Sequence, residues 1–566
     1  MAENVNMAVY ADVLLAIMRY LGPALILFLL LRCGLSLITF RREGEIWAWL
    51  TMEDGTRLPI THWESILGRA KHCDVVLCFP DVARNHAVLT RFDDGSWMIS
   101  DADTPGGILV NGEDVTAAAL HNGDEITIGG ATMSFQPITA AQERKLASLR
   151  TRAFNGWSSL GNLLILTALQ LLCLSCFLTD GQNDVSVLVG FVGLSCLQWA
   201  LFGFYLLLRK PAFELETLAF LLCTVGMTVI CSVRPTEAPK QLIASGLGIF
   251  LFLALGWTLR DLERAKVVRY LAAVGGVGLL IAVLLFGKEY YGAKNWLVIG
   301  GLSIQPSELA KVCFVYVGAS TVDRLLKKKN IILFIVYTVA LCGLLALMND
   351  FGTALVFFCA FLMIAFMRSG SIGTVGLACT ALGFAGVIGL KIAPHAMRRL
   401  TAWRHIWEDP YGAGYQQTRA LMCIASGGLL GLGIGQGKMK HIFAADSDMV
   451  FATVGEQWGL IVAVMMVLCL VIMALFALRS AVMGRSSFYT IASCTAAGIL
   501  LVQTIFNVLG TVDVLPLTGV TFPFLSNGGS SMIGVWGLLA FIKAADTRPD
   551  ASFSVRLRRK GGEADA

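Results

Sequence analysis

The sequence predicts a polytopic α-helical membrane protein with a small all-β domain near its N-terminus. First, 56% of the 566 residues are hydrophobic and 15% are charged, whereas about a quarter of a soluble protein is charged. Second, residues 45–137 are polar and rich in turns, while apolar runs of bilayer length fill most of the remaining chain. This composition excludes a large cytosolic enzyme, a disordered scaffold and a disulfide-rich secreted protein. A net charge of +5 without a concentrated basic face gives no case for nucleic-acid binding.

The apolar runs predict about thirteen membrane spans. They lie at 8–40, 157–177, 185–207, 214–233, 240–258, 268–286, 306–323, 330–348, 352–367, 371–392, 449–478, 487–509 and 528–544. If the polar domain is cytoplasmic, the loops rich in Lys and Arg fall on the inner side, as the positive-inside rule requires. The basic tail at 545–566 then also lies inside, and the loops 287–305, 393–448 and 511–527 lie outside.

Residues 45–137 predict an antiparallel β-sandwich. Asp94-Gly95 and Asn122-Gly123 are typical hairpin turns between segments of alternating polarity, such as Glu125–Ile128. This cytoplasmic domain follows the span at 8–40, which we interpret as a retained membrane anchor.

Polar and ionisable residues collect at the outer ends of the predicted spans, which indicates a functional cavity there. The set is Lys240, Lys294, Trp296, Gln305, Glu308, Lys311, Asp350, Asp409, Asp446, Asp448, Ser526 and Ser530. Two structural alternatives remain open. Glu308 and Lys311 are three residues apart at a helix start and could form an internal ion pair, and Asp448 could be the N-cap of the span at 449–478.

The β domain resembles a forkhead-associated (FHA) domain. The resemblance rests, in order, on Gly68-Arg69, Arg84-Asn85-His86-Ala87, Val110-Asn111-Gly112 and the NGDEITIG stretch at 122–129. In that family the loops at one end of the sandwich bind phosphothreonine peptides. The resemblance implies that Arg69, Arg84 and Asn85 contact a phosphopeptide and that His86 stabilises the fold.

The chain departs from the FHA pattern in two of those loops. Ala83 stands where the family has its phosphate-binding serine, and Gly106 stands where it has an asparagine. Both a phosphothreonine reader and a phosphate-independent docking surface therefore remain open.

The membrane part at 214–544 resembles the SEDS family of cell-wall proteins (FtsW, RodA and SpoVE). The matching motifs, in family order, are KQ at 240–241, GAKNW at 292–296, QPSELAK at 305–311, NDFGTA at 349–354, WEDPYGAGYQ at 407–416, DMVFATVGE at 448–456, and LPLTG with PFLSNGGSS at 515–531. The resemblance implies a core of about ten spans in a bacterial plasma membrane. The anchor at 8–40 and the hairpin at 157–207 are then additions to this core.

The resemblance also implies an activity: a peptidoglycan glycosyltransferase that polymerises lipid II on the outer membrane face. Asp448 matches the family's catalytic aspartate and would be the general base, and the rest of the outer set except Asp446 would contact substrate. The implied partners are lipid II, undecaprenyl-linked glycan, a class B penicillin-binding transpeptidase and, through the FHA-like domain, a phosphoprotein or division protein. Division, elongation and sporulation remain open as cellular roles.

Two positions depart from the SEDS pattern, with Asp446 in place of a histidine and Asn527 in place of a tyrosine. Asp446 could raise the pKa of Asp448 by like-charge repulsion, or the two carboxylates could hold a divalent cation such as Mg or Mn. Two other functions also remain open: a lipid II flippase, because polar residues in spans line transport paths, and a signalling module that the spans only anchor.

Overall fold

The computed structural model describes most of the chain. Apart from single residues and pairs inside them, the described ranges are 2–39, 46–142, 156–179, 184–260, 262–322, 328–369, 394–482 and 487–546, with fragments of 372–383. Much of the predicted span at 371–392 and most of the basic tail at 545–566 lie outside the described residues.

The N-terminal polar segment forms a two-sheet sandwich, which confirms the predicted all-β domain. Its strands are β1 (Ala48–Met52), β2 (Arg57–Ile60), β3 (Glu64–Gly68), β4 (Val75–Val76), β5 (Ala87–Arg91), β6 (Trp97–Asp101), β7 (Ile108–Val110), β8 (Glu113–Val115), β9 (Ala117–Leu120), β10 (Glu125–Ile128) and β11 (Ala131–Pro137). One sheet has the order β2-β1-β11-β10-β7-β8, and the other has the order β4-β3-β5-β6-β9.

Alternation along the strands builds the core between the two sheets. On β11, Ala131, Met133 and Phe135 are buried while the residues between them are partly exposed, as the two-residue period of a strand requires. Phe135 packs edge to face against Trp97 of the opposite sheet, with ring centroids 5.3 Å apart. This pair joins the two sheets at the centre of the domain.

The rest of the described chain is mainly helical. The helices are α1 (Ala2–Thr39), α2 (Gly156–Thr179), α3 (Val185–Leu207), α4 (Glu214–Val233), α5 (Ala238–Thr258), α6 (Leu262–Phe286), α7 (Pro306–Val322), α8 (Lys328–Leu347), α9 (Phe351–Ser369), α10 (Pro394–Ala402), α11 (Tyr415–Gly427), α12 (Val450–Gln457), α13 (Leu460–Val482), α14 (Ser487–Thr511) and α15 (Gly529–Ala544).

The helices confirm a multi-pass membrane protein. Within the residues that the structure describes, eight segments are long and apolar enough to cross a bilayer: Val13–Ile38, Trp157–Thr179, Val185–Leu207, Glu214–Val233, Pro235–Thr258, Val267–Phe286, Leu460–Ala481 and Ser487–Thr511. The same described part of the chain contains three shorter apolar helices, Ile332–Leu347, Phe351–Met367 and Gly529–Ala544. The predicted span at 306–323 is the 17-residue helix α7.

The predicted span at 449–478 is wrong at its start. The segment consists of the short helix α12 and the long helix α13, which are separated at Gly459. Gly459 has a φ of +87°, and a Cβ at this position would collide with the backbone of Leu429 and Gly431. The left-handed backbone ends the first helix because only glycine adopts it without strain at such close approach.

The segment at 287–305, which the sequence predicts as a loop, contains a small antiparallel sheet. Its strands are β12 (Lys288–Tyr290), β13 (Ala293–Ile299) and β14 (Leu302–Ile304), in the order β12-β13-β14. Lys294 and Trp296 lie on the central strand, and the backbone N–H of Lys294 donates to the carbonyl oxygen of Met348 at 3.1 Å. The sheet therefore carries two of the predicted site residues toward the α8–α9 connection.

Helix α4 lies at the centre of the N-terminal part of the bundle and is almost completely buried. Helices α1, α2 and α3 all pack against it, and α1 also packs against α13. Helices α1, α2 and α3 thus cover α4.

A buried polar network fixes the hairpin to α4. Gln170 of α2 donates to Gln198 of α3 and to Thr224 of α4, both at 3.0 Å. Ser195 donates to Gln170 at 2.6 Å, and Gln198 donates to Thr167 at 2.9 Å. Such interhelical hydrogen bonds specify which helix faces meet, because an unpaired polar group in lipid is costly.

A buried ion pair joins α4 to the C-terminal helix α15. The Nζ of Lys543 lies 2.9 Å from Oε1 of Glu216, and neither side chain is exposed. The hydroxyl of Tyr205 on α3 also donates to Glu216 at 3.0 Å, and Lys543 donates to the carbonyl of Ala212 at 2.9 Å. Three helices therefore share one satisfied set of buried charges.

The β-sandwich contacts the bundle at the start of α14. Oε2 of Glu64 on β3 accepts hydrogen bonds from the hydroxyl of Ser487 at 2.6 Å and from its backbone N–H at 3.2 Å. A carboxylate is favoured at a helix N-terminus because it meets unpaired N–H groups and the positive end of the dipole.

Candidate active site

Asp448 lies in the turn that leads into helix α12. The N-cap of this helix is Met449, and no side chain caps it. The N-cap interpretation of Asp448 is therefore wrong, and its carboxylate is not used to start a helix. The carbonyl oxygen of Asp448 accepts a hydrogen bond of 2.9 Å from Asn507 of α14, whose amide also donates to Val520 at 2.9 Å.

The carboxylate of Asp448 faces a cation that the sequence analysis did not single out. A Cβ built on Gly519 would lie 3.5 Å from Oδ2 of Asp448 and 3.5 Å from Nη1 of Arg399. The two charged groups therefore flank the same glycine. Arg399 lies on α10, and its guanidinium is fixed near Gly519 by a 3.4 Å hydrogen bond that it donates to the carbonyl oxygen of Leu517.

The surroundings of Asp448 raise its pKa to about 6. Desolvation is the main cause, Arg399 lowers the pKa, and the negative charges of Asp446 and Asp350 raise it. The predicted repulsion from Asp446 is thus present, but it is secondary to desolvation. A carboxylate with this pKa is mostly ionised at neutral pH and still basic enough to accept a proton.

Asp446 is buried and fully engaged by other residues. Arg234, directly after α4, contacts both carboxylate oxygens, at 2.6 Å to Oδ1 and at 2.7 and 2.9 Å to Oδ2. Asn527 donates its side-chain amide to Oδ2 at 2.7 Å.

These contacts do not fit the predicted Mg or Mn site on Asp446 and Asp448. Both carboxylate oxygens of Asp446 accept hydrogen bonds from Arg234, and Oδ2 also accepts one from Asn527, so a cationic side chain already lies where a divalent cation would bind Asp446. Within the part of the chain that the structure describes, no group of three or more His, Cys, Asp or Glu side chains is arranged to hold a metal ion.

Two predicted substrate-binding serines brace the loops of the site. Ser526 donates to the carbonyl oxygen of Ser447 at 2.6 Å and accepts from the N–H of Phe522 at 2.9 Å. Ser530 accepts from the backbone N–H of Gln305 at 2.8 Å. Both serines are buried, so their observed hydrogen bonds hold backbone segments in place.

A second acidic cluster lies where α7 and α9 begin. Glu308 and Lys311 form a buried ion pair of 2.7 Å, which confirms the internal pairing that the sequence allowed. Oδ1 of Asp350 accepts from the N–H of Thr353 at 3.0 Å, at the start of α9, and the side chain of Gln305 lies 3.5 Å from Oδ2. The negative charge of Asp350 reaches Asp448, because it contributes to the raised pKa there.

The other predicted contacts have local partners. Lys240, in the first turn of α5, pairs with Glu237 at 2.9 Å, and Lys294 donates to the carbonyl oxygen of Leu284 at 2.6 Å. Trp296 is half-buried beside Lys294 on β13. The carboxylate of Asp409 accepts from the backbone N–H groups of its own loop at Gly412 and Ala413. A substrate role for these four residues stays a prediction.

The predicted phosphopeptide contacts lie on adjacent loops of the β-sandwich. Arg69, Arg84 and Asn85 are all exposed, and the backbone N–H of Arg69 donates to Ala83 at 2.9 Å. The guanidinium of Arg69 donates to the carbonyl oxygen of Pro80 at 3.1 Å.

His86 is fully buried and joins two of these loops. Its Nδ1 accepts from the N–H of Ala83 at 3.0 Å, and its Nε2 lies 2.9 Å from the carbonyl oxygen of Gly107. With Nε2 as the protonated nitrogen both bonds are satisfied, which agrees with the fold-stabilising role.

Sequence reasoning missed three residues that shape the site: Arg234, Arg399 and Asn507. Asn507 carried a signal, because a polar amide inside an otherwise apolar span is costly unless it has partners. Arg399 was one of several basic residues in the 393–448 loop, and nothing in the linear sequence distinguished it.

Comparisons with known proteins agree with this architecture. A sequence profile described as "Cell cycle protein", for FtsW, RodA and SpoVE, matches residues 213–549, and an FHA domain profile matches residues 65–129. The chain is 32% identical over 359 residues to a probable peptidoglycan glycosyltransferase FtsW from Tolumonas auensis, covering 60% of this chain and 93% of that one. It is 28% identical over 361 residues to stage V sporulation protein E from Bacillus subtilis, covering 57% and 93%.

A solved structure is also similar to this chain. A chain described under structural coordination of polymerization and crosslinking by a peptidoglycan synthase complex is 25% identical, with a TM-score of 0.49, covering 60% of this chain and 98% of that one. The sequence profile alone matches more than half of the present chain. This protein therefore belongs to the FtsW/RodA/SpoVE family, and it carries an FHA domain in addition to the family's membrane core.

Proposed function

We propose that this protein is a peptidoglycan glycosyltransferase that polymerises lipid II, with Asp448 as its general base. The observation that carries the proposal is the carboxylate of Asp448, which has a pKa near 6 and faces Arg399 across Gly519. The relatives named as glycosyltransferases support polymerisation over the flippase alternative.

The arrangement suits a glycosyl transfer. Asp448 takes the proton from the sugar hydroxyl of the acceptor lipid II as that oxygen bonds to C1 of the lipid-linked glycan. The bond from C1 to the diphosphate breaks, and the undecaprenyl diphosphate leaves with the electron pair. Arg399 is placed to stabilise the negative charge that develops on this leaving group, because fixed cations favour such transition states.

The direct test uses the purified chain with labelled lipid II and its class B penicillin-binding transpeptidase. The native protein is expected to make glycan strands, and Asp448→Asn, which keeps the side-chain shape, is expected to make none. Glu408→Gln is a matched control, because Glu408 is an exposed acid paired only with His405 in the described contacts, at 2.9 Å. Normal strand synthesis by Asp448→Asn would refute the assignment.

The transport alternative makes a different prediction in the same preparation. If the chain moves lipid II across vesicle membranes and this movement is insensitive to Asp448→Asn, the transporter function is supported instead. Strand synthesis that depends on Asp448 supports the polymerase.

We also propose the topology that this reaction needs, with Asp448 at the outer face and the FHA domain in the cytoplasm. The positive-inside pattern of the loops supports this orientation. Protease added to right-side-out vesicles is expected to leave residues 45–137 intact and to cleave them only after permeabilisation. Cleavage in sealed vesicles would contradict the orientation.

In this topology the FHA domain recruits or regulates the synthase from inside the cell. The exposed Arg69, Arg84 and Asn85 support a docking surface for a phosphoprotein or division protein. An array of phosphothreonine peptides and their unphosphorylated counterparts tests the full-length chain. Binding that needs the phosphate and is lost in Arg69→Ala supports a phosphothreonine reader, and binding without the phosphate supports the docking alternative.

A further inference from the structure

The two departures from the SEDS pattern contact each other in the folded chain. Asn527 donates its side-chain amide to Oδ2 of Asp446 at 2.7 Å, and its backbone N–H donates to the carbonyl oxygen of Asp446 at 2.7 Å. Residues that are 81 positions apart thus form one unit.

Arg234 completes this unit with a third element. Its guanidinium contacts both carboxylate oxygens of Asp446, and the carboxylate is 1% exposed while the Arg234 side chain is 55% exposed. A forked guanidinium on a carboxylate is rigid because two donors fix its plane. The guanidinium also supplies the positive charge that a buried carboxylate requires.

The contacts to Asp446 belong to a clamp on the turn at 446–448. The carbonyl oxygen of Ser447 accepts from Ser526, and the carbonyl oxygen of Asp448 accepts from Asn507. The turn is therefore held from three parts of the chain: Arg234 after α4, the neighbouring Ser526 and Asn527, and Asn507 on α14. Among these contacts, the one between Arg234 and Asp446 carries full charges.

We propose that Arg234 is a positioning residue for Asp448, which acts by holding Asp446 and, through it, the turn that presents the catalytic carboxylate. The inference rests on the proposed function and deepens it. Arg234 comes from the end of α4, the helix against which the anchor and the hairpin pack. The position of the base is thereby tied to the additional N-terminal helices.

Loss of the guanidinium has a definite consequence. In Arg234→Gln the carboxylate of Asp446 remains buried without its counter-charge and two residues from a second carboxylate. The charged and polar groups that act on this pair are Arg399, which faces Asp448 across Gly519, Asp350, whose negative charge acts on Asp448, and Asn527, which contacts Asp446. The turn then relieves the unpaired charge by moving toward solvent, and Asp448 moves with it.

The experiment compares three variants in the purified chain with its transpeptidase partner. Arg234→Gln removes the charge, Arg234→Lys keeps it, and Arg234→Gln with Asp446→Asn leaves a neutral pair that can still hydrogen-bond. Steady-state synthesis from labelled lipid II gives kcat and KM, and hydrogen exchange measures the backbone amides of the peptide at 444–450. Arg264→Gln is the control, because Arg264 lies over the ring of Trp257 on another helix, 4.6 Å from the ring centroid.

In Arg234→Gln, kcat is expected to fall at least tenfold with KM within twofold of native, and exchange at 444–450 is expected to accelerate at least tenfold. Arg234→Lys and the double variant are expected to recover most of the kcat and the slow exchange. Native kcat and native exchange in Arg234→Gln would overturn the proposal. A raised KM with unchanged kcat would also overturn it, since Arg234 would then contact substrate directly.

The two readouts separate this proposal from the proposed function. If the native protein makes no strands, the polymerase assignment fails, but the exchange measurement still decides whether Arg234 holds the turn. If strands form and Arg234→Gln loses kcat without recovery in the double variant, the polymerase assignment stands and the positioning role is refuted.

Discussion

The pH dependence of polymerisation tests the environment of Asp448 most directly. A general base works only when ionised, so a pKa of about 6 predicts full activity above about pH 7 and a tenfold loss for each pH unit well below pH 6. The group is less ionised than an ordinary aspartate at every pH, because desolvation favours its protonated form. We expect the acid limb of the pH–rate profile to have its midpoint near pH 6.

Replacing Arg399 by Gln should move this midpoint upward. Oδ2 of Asp448 and Nη1 of Arg399 each lie 3.5 Å from the position that a Cβ on Gly519 would take. The two charged atoms are therefore at most about 7 Å apart, and at about 7 Å their attraction is about 0.6 kcal/mol in water and about 2.4 kcal/mol at an effective dielectric constant of 20. Because Arg399 is exposed, solvent screening favours the lower half of this range. The expected rise is about 0.5 to 1 pKa unit.

The assay is a pH–rate profile of strand synthesis for the native chain, Arg399→Gln and Arg399→Lys. Lysine keeps the charge, so its midpoint should stay close to the native one, even if its plateau rate falls. Added salt should shrink the difference between Arg399→Gln and the native chain. A midpoint that is unchanged or lowered in Arg399→Gln would refute the electrostatic reasoning, as would an equal shift in Arg399→Lys.

Three further predictions concern stability. Lys543→Met should destabilise the chain by about 3–5 kcal/mol, because it leaves Glu216 buried and unpaired. The double variant Lys543→Met with Glu216→Gln should recover most of this loss. Unfolding in detergent measures both variants, and equal losses of stability in the two would contradict the pairing. His86→Ala should lower the stability of the β domain in the full chain by about 1–3 kcal/mol, because buried backbone groups lose their partners, and faster hydrogen exchange confined to this domain is the readout. Gly431→Ala should destabilise the site, because Gly431 has a φ of +80° and a Cβ there would collide with the carbonyl oxygen of Gln457. A thermal stability of Gly431→Ala equal to that of the native chain would contradict this prediction.

Local sequence signals predicted most of the fold. Long apolar runs gave the spans, because a bilayer demands both length and low polarity, and two-residue alternation gave the β-sandwich. The ion pair of Glu308 and Lys311 was also readable, since residues three apart on a helix are neighbours. The break at Gly459 was not readable, because it depends on the close approach of the loop at 429–431.

By itself, the sequence determined a polytopic membrane protein with a β-sandwich, its family motifs and the candidate base Asp448. Only the tertiary structure decided what surrounds that base. Arg234, Asn507 and Arg399 are distant from Asp448 along the chain, and their roles follow from helix packing, which no local pattern encodes. Asp446, which the sequence predicted as a possible metal ligand, is in the structure paired with Arg234 and hydrogen-bonded to Asn527. A buried carboxylate needs a nearby positive charge, and which residue supplies it depends on the tertiary fold.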